Sequence, residues 1–173
     1  MGRYRAPQKP GSKYITREGE KALKDELHYL WKIKRPKVTQ AVSEAAAQGD
    51  RSENAEYIYG KKQLREIDSR VRFLTKRLDD MVVVDRAPED QSRIYFGAWV
   101  TLENERGETN RYRLVGPDEF DLTKGYLSID SPLAKKLLKK QVDDEIELDA
   151  PDGRKCFVVT GVHYQIDSTD DDM

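Results

Sequence analysis

The chain has 173 residues, 36% of them charged and 37% hydrophobic, with a formal net charge of −1; that length holds one large domain or two small ones, with modest burial per residue. No apolar run approaches the roughly 18–20 residues that cross a bilayer, no hydrophobic region follows the charged N-terminus as a secretory signal requires, and a single cysteine, Cys156, excludes an internal disulfide or a cysteine-rich metal site. The near-neutral balance hides an asymmetry, because residues 1–85 carry 19 Lys/Arg against 13 Asp/Glu and residues 86–173 carry 12 against 19, so a partner should meet the two halves differently. These features together point to a cytoplasmic protein.

Residues 1–14 hold four basic and no acidic residues with two prolines and two glycines, which reads as a disordered basic arm. Thr16 is a plausible N-cap, with Glu18 and Glu20 in the first turn where the helix dipole favours anions. A first helix then runs to about Gln48, along which Leu23, Leu27, Leu30, Val38, Val42 and Ala45 recur at helical steps and Lys34 fills one slot. Pro36 removes one backbone hydrogen bond inside it, so a kink is expected there. Gly49 to Tyr57 interrupts the pattern. A second helix, from about Ser52 to Met81, repeats Tyr57, Gly60, Leu64, Ile67, Val71, Leu74, Leu78 and Met81 at steps of three and four, the spacing of a coiled-coil seam. Two such stripes joined by a short break should pair as an antiparallel helical hairpin. Each arm, at about 30 residues, would be roughly 45 Å long.

Val82-Val83-Val84 turns to β-type residues, and Asp85 to Ser92 reads as a domain boundary. Beyond it the period becomes two. Strands are expected over 94–102, 109–115 and 126–130, a short helix over 133–140 opened by Pro132, and a closing hairpin from 145–148 and 156–164 across Pro151-Asp152-Gly153. Residues 167–173 form an acidic tail. The fold class is α+β: a coiled-coil hairpin over 15–85 with an acidic tip at 49–57, then a small antiparallel sheet domain with one short helix over 92–166.

The tip carries the chemistry worth weighing. Asp50 could cap the second helix, with Glu53 three residues on completing a capping box and Glu56 adding to the dipole interaction. The same two carboxylates could instead supply oxygen ligands to Mg²⁺, which keeps several waters and needs only one or two acids when other ligands come from elsewhere. In two-metal phosphodiester chemistry an acid beside the attacking water could orient it or take its proton. Spacing leaves both readings open. The chain offers no Gly-rich phosphate loop, no Ser/His/Asp set and no His cluster as a rival. His28 and His163 read as ordinary packing or surface residues.

Gly49-Asp50-Arg51-Ser52-Glu53-Asn54-Ala55-Glu56-Tyr57, Arg35-Pro36-x-Val38, Ile67-Asp68-x-Arg70-Val71 and Ile129-Asp130-Ser131-Pro132-Leu133-Ala134 resemble the bacterial Gre family of transcript-cleavage factors over about residues 14–165. Arg51-Ser52 and the basic run Lys61-Lys62-x-Leu64-Arg65 resemble its GreB branch more than its GreA branch. The resemblance implies that the hairpin enters the secondary channel of bacterial RNA polymerase while an FKBP-like C-terminal domain docks at the channel mouth. It implies that Asp50 and Glu53 help hold a second Mg²⁺ shared with the polymerase active site, so that the polymerase cuts the 3′ end of a backtracked transcript. On that view the protein is an accessory factor, not itself an enzyme, and binds no cofactor alone. Lys61, Lys62 and Arg65 would contact the nascent RNA 3′ end, and Asp130, Ser131 and Pro132 would dock on a helical hairpin at the channel rim. Two other readings are a channel-blocking inhibitor and a self-associating structural adapter. The hairpin should satisfy its own seam, so a monomer is expected, with no membrane partner.

Overall fold

The computed structural model describes residues 11–50 and 53–164. Most of the expected basic arm (1–10), Arg51 and Ser52 at the tip, and the expected acidic tail lie outside the described residues. Two compact units form: Glu18–Met81, and a second in which the chain up to Arg17 joins Val82 onward.

The first unit is a helical hairpin. Its incoming arm comprises α1 (Arg17–Tyr29), a π-helical stretch at Leu30–Lys34, and α2 (Arg35–Ala47); α3 (Ala55–Asp80) returns. Glu18 and Glu20 occupy the first turn of α1 as the dipole favours. The seam buries Leu23, Leu30 and Ala45 from the incoming arm and Gly60, Ile67 and Leu74 from α3. Each fully buried leucine or isoleucine contributes about 1.5–3 kcal/mol through removal from water. Gly60 sits where the arms pack tightly, since a Cβ there would stand 2.5 Å from Val42 Cγ2. Two ion pairs span the arms: Arg35 Nε donates to Asp68 Oδ1 at 2.8 Å, and Arg70 holds Glu26 through Nε and Nη2 at 2.8 and 3.0 Å. Each is partly exposed, so solvent screens it and its contribution to stability is small, but each favours the antiparallel register. Arg35, Asp68 and Arg70 are motif residues, and in the structure they tie one arm to the other.

The disturbance expected at Pro36 takes a specific form. The Arg35 N–H reaches Leu30 O, five residues back, so the helix widens by one residue just ahead of the proline.

The second unit opens with β1 (Tyr14–Thr16), which pairs in parallel with β2 (Val82–Val84). Ile15, Thr16 and Val82–Val84, inside the 15–85 range expected for the hairpin, therefore belong to the other unit, and Tyr14, expected in the disordered arm, is a strand residue. Thr16, the residue directly before α1, is also a buried strand residue, 2% exposed, whose N–H donates to Glu119 Oε2 at 3.1 Å and whose hydroxyl donates to the other Glu119 oxygen. The carboxylate partner lies about a hundred residues away along the chain, so local sequence does not reveal it.

A five-stranded sheet follows in the order β5-β4-β3-β7-β6, from β3 (Trp99–Asn104), β4 (Thr109–Val115), β5 (Tyr126–Ser128), β6 (Glu145–Ala150) and β7 (Gly153–His163). The sheet is not wholly antiparallel, because β5 runs parallel to β4 with Leu114 opposite Leu127. The expected strand over 94–102 begins later, at Trp99. Ile94 N–H instead donates to Lys140 O, and Gly97 turns the chain at φ +87°. The helix α4 (Pro132–Leu137) buries Ala134 and Leu137 with Val100, Leu102, Leu114, Ile146 and Val159 in one core. Half-buried Cys156 lies on β7; desolvation, with Glu105 beside it, pushes its thiol up, away from reactivity.

Candidate functional site

The turn between α2 and α3 is built by hydrogen bonds local to it. The α2 helix closes at Gln48, whose N–H reaches Ala45 O at 3.1 Å, and the Glu53 N–H reaches Asp50 O at 3.2 Å. Asn54, not Asp50, caps α3. Its Oδ1 accepts the Tyr57 N–H at 3.2 Å, and its Nδ2 donates to Ala45 O at 2.6 Å. One side chain thereby satisfies an orphan donor of the outgoing helix and gives the Ala45 carbonyl, which already accepts the Gln48 N–H, a second hydrogen bond. This residue is the one sequence reasoning missed. Asparagine belongs to the favoured N-cap set, and its position three before Tyr57 was the available signal.

The capping role expected for Asp50 and Glu53 is therefore filled by their neighbour. Both acids are exposed in the turn, as is Glu56 in the first turn of α3. Among the described residues no group of three or more His, Cys, Asp or Glu is placed to hold a metal ion. Asp50 and Glu53 fit a divalent cation as partial donors, able to add one or two carboxylate oxygens to a shell completed elsewhere.

Lys61, Lys62 and Arg65 are all exposed on α3. Lys62 and Arg65 line one open groove of about 690 Å³ with Glu66, Ser69, Arg70 and Phe73, and Lys61 lies outside that lining. Phe73 is 48% exposed, with the Arg70 guanidinium 5.3 Å from its ring centroid. A basic groove with an exposed aromatic can take phosphates and stack a base.

The second predicted site lies in the other unit, between β5 and α4. Ser131 caps α4, its Oγ accepting the Ala134 N–H at 3.2 Å, and Pro132 occupies the first helical turn, exposed. Asp130 is half-buried and accepts the Ser12 N–H on Oδ2 at 2.8 Å. Asp130 and Pro132 thus present themselves outward while the serine hydroxyl serves the helix.

Comparison with known proteins matches two family models, one described as the N-terminal domain of a transcription elongation factor over residues 13–83 and the other as the GreA/GreB C-terminal domain over residues 89–164. The transcription elongation factor GreB of Pseudomonas aeruginosa is 60% identical over 164 residues, 95% of this chain and 98% of that protein. GreB of Haemophilus ducreyi is 59% identical over 157 residues, 91% and 97% of the two chains. The solved structure of GreA factor homolog 1 (Gfh1) of Thermus thermophilus is 25% identical and covers 87% of this chain and 97% of its own, with a TM-score of 0.39, too low to carry an argument.

Proposed function

The chain belongs to the GreA/GreB family of transcription elongation factors, and from that membership we propose that it stimulates cleavage of backtracked nascent RNA by RNA polymerase. The observation that carries the proposal is the turn at the α2–α3 junction. There two acids three residues apart are exposed, beside the Asn54 that caps α3. In this reading the hairpin enters the polymerase secondary channel and brings Asp50 and Glu53 to the catalytic centre.

A divalent cation held there would lower the pKa of its bound water and steady charge on the phosphate under attack, with Asp50 and Glu53 as the residues of this chain that would help hold it. Asp50 and Glu53 contribute carboxylate oxygens beside it. An oxygen that stays outside the metal shell accepts a hydrogen bond from the attacking water and orients it, and is placed to take its proton. Asn54 fixes the start of α3 beside Glu53 and ties it to Ala45 O, which reduces the cost of ordering that part of the turn on binding. Lys61, Lys62 and Arg65 meet the phosphates of the displaced RNA 3′ segment, which makes that contact salt-dependent. Asp130 and Pro132 dock on the polymerase rim. The polymerase owns the reaction, so the factor is an accessory and not an enzyme. Its place is the cytoplasm, where transcription occurs in bacteria.

Asp50→Asn and Glu53→Gln test this directly in stalled elongation complexes. Each should keep polymerase binding within twofold and lower the cleavage rate by about 10²-fold or more, the usual scale for a group acting on the attacking water. Normal cleavage by both variants would remove the acids from the reaction. Slower run-off transcription on adding the wild-type factor, without cleavage, would favour the channel-blocking reading.

A further inference from the structure

Asp130 reaches the docking face with one oxygen already engaged, and the group engaging it comes from the far end of the sequence. Ser12 N–H donates to Asp130 Oδ2 at 2.8 Å. Gly11 lies against the same oxygen, since a Cβ there would stand 3.2 Å from Asp130 Oδ2 and 3.5 Å from Pro117. The segment carrying these residues is held firmly. Lys13 O accepts the Val82 N–H at 2.9 Å, β1 pairs with β2 just beyond, and Glu119 accepts both the N–H and the hydroxyl of Thr16. Glu119 also accepts the Gly116 N–H at 2.9 Å. Gly116 must be glycine, because a Cβ there would stand 2.1 Å from Tyr14 O. Residues 11–16 therefore form a strap stitched across the sheet unit at Asp130, Gly116 and Glu119.

On its other side Asp130 is fixed by its own loop, its N–H donating to Ser128 Oγ at 3.2 Å. Its carboxylate would be free to rotate without the strap. Oδ2 is taken by a neutral backbone donor, and Oδ1 accepts no hydrogen bond from any described residue. That oxygen can receive a strong charge-assisted bond from an arginine or lysine. Prior fixing of the rotamer removes an ordering cost that docking would otherwise carry.

We propose that the strap Gly11–Thr16 is part of the polymerase-docking face, with the Ser12 N–H as the positioning group that sets the Asp130 carboxylate for a cationic side chain of the partner. The inference rests on the docking role of Asp130, and the test separates the two. Polymerase binding is measured by competition against labelled wild-type factor for Ser12→Ala, Ser12→Pro, Gly11→Val, Asp130→Ala and the Ser12→Pro/Asp130→Ala double variant. Ser12→Ala keeps the N–H and should bind as wild type. Ser12→Pro removes the donor and Gly11→Val crowds the carboxylate, so each should bind about three- to tenfold more weakly, the scale of one side chain's ordering cost. Cleavage at saturating factor should be unchanged in both, because only the half-saturating concentration moves. The double variant should bind no worse than Asp130→Ala alone, since the strap acts through that carboxylate. Wild-type binding by Ser12→Pro and Gly11→Val, or fully multiplicative losses in the double variant, overturns the strap's role. Wild-type binding by Asp130→Ala overturns the docking role itself.

Discussion

Asn54 does the work at the tip that its acidic neighbours seemed chemically suited to do. With Asn54 as the cap, neither Asp50 nor Glu53 serves as the N-cap of α3, and both are exposed. The asparagine also ties Ala45 O, at the end of α2, to the start of α3, which no aspartate could do because a carboxylate lacks a donor. Asn54→Asp should therefore keep the cap and lose the crosslink, whereas Asn54→Ala loses both. We expect Asn54→Ala to cost about 1 kcal/mol or more of hairpin stability and Asn54→Asp less, read as midpoints of helical circular dichroism in urea. Cleavage stimulation should fall in the same order, since the turn's geometry falls with its hydrogen bonds. If Asn54→Ala matched the wild type in both measurements, the crosslink would be ornamental. That the break between the helices carries a pair of acids was legible in the sequence, while their spacing fitted a cap and a metal ligand equally. Which residue caps the helix was not legible, because Asp50 and Asn54 belong to the same favoured set and only the backbone path decides between them.

The two arms of the hairpin differ in rhythm, and the π-helical stretch follows from that difference. On α3 the seam residues from Tyr57 to Met81 alternate steps of three and four without a break. On the incoming arm, Leu23, Leu27, Leu30, Lys34, Val38, Val42 and Ala45 place three steps of four in succession from Leu30 to Val42. That is one residue too many for a continuous α-helical seam, which would drift off the partner. The π-helical stretch at Leu30–Lys34 takes up the extra residue and returns Val38, Val42 and Ala45 to the inner face. Pro36 next to it has no N–H to place, so it suits this site. The stripe was readable in sequence; its phase defect was readable too, but it points equally to a kink, and only the backbone geometry distinguishes widening from bending. The tight packing of the arms at Gly60 gives a test. Gly60→Ala gains up to about 1 kcal/mol of helix propensity but drives a methyl into Val42 Cγ2, and overpacking costs about 1–3 kcal/mol. Valine in a helix has one favoured rotamer and cannot swing aside cheaply, so the clash should win and the hairpin should lose stability. In a Val42→Ala background the same Gly60→Ala change should stabilise. A stabilising Gly60→Ala in the wild-type background would mean the arms yield at that point.

At the level of the whole molecule, the two compact units hold themselves together by different means, so conditions should unfold them separately. The hairpin rests on a narrow apolar seam and exposed ion pairs, which salt weakens. The sheet unit has a single wide core and long-range ties that sequence could not reveal, because their partners lie far apart along the chain: Ser12 with Asp130, Thr16 with Glu119, and Tyr164 with Arg93 and Tyr95. The last of these is titratable. The Tyr164 hydroxyl donates to Arg93 O at 2.6 Å and accepts the Tyr95 N–H at 2.9 Å, and burial raises its pKa above the ordinary value. The folded state then holds the phenolic proton more tightly than the unfolded chain does. Its contribution is fully present below the ordinary tyrosine value near 10 and is lost as pH rises through the raised folded value. Deprotonation would remove the donor to Arg93 O and leave two oxygens facing each other. Above about pH 10 the near-ultraviolet signal of Trp99, in the sheet unit, should melt at progressively lower temperature. The helical signal of residues 18–81 should decline less over the same range. Tyr164→Phe should be less stable than wild type at neutral pH by about 1–3 kcal/mol, because the Arg93 carbonyl and Tyr95 amide lose their partner, and this difference should shrink as pH rises. A constant difference between the two proteins from pH 7 to 11 would show that the phenol's proton has no part in holding the Arg93–Tyr95 segment.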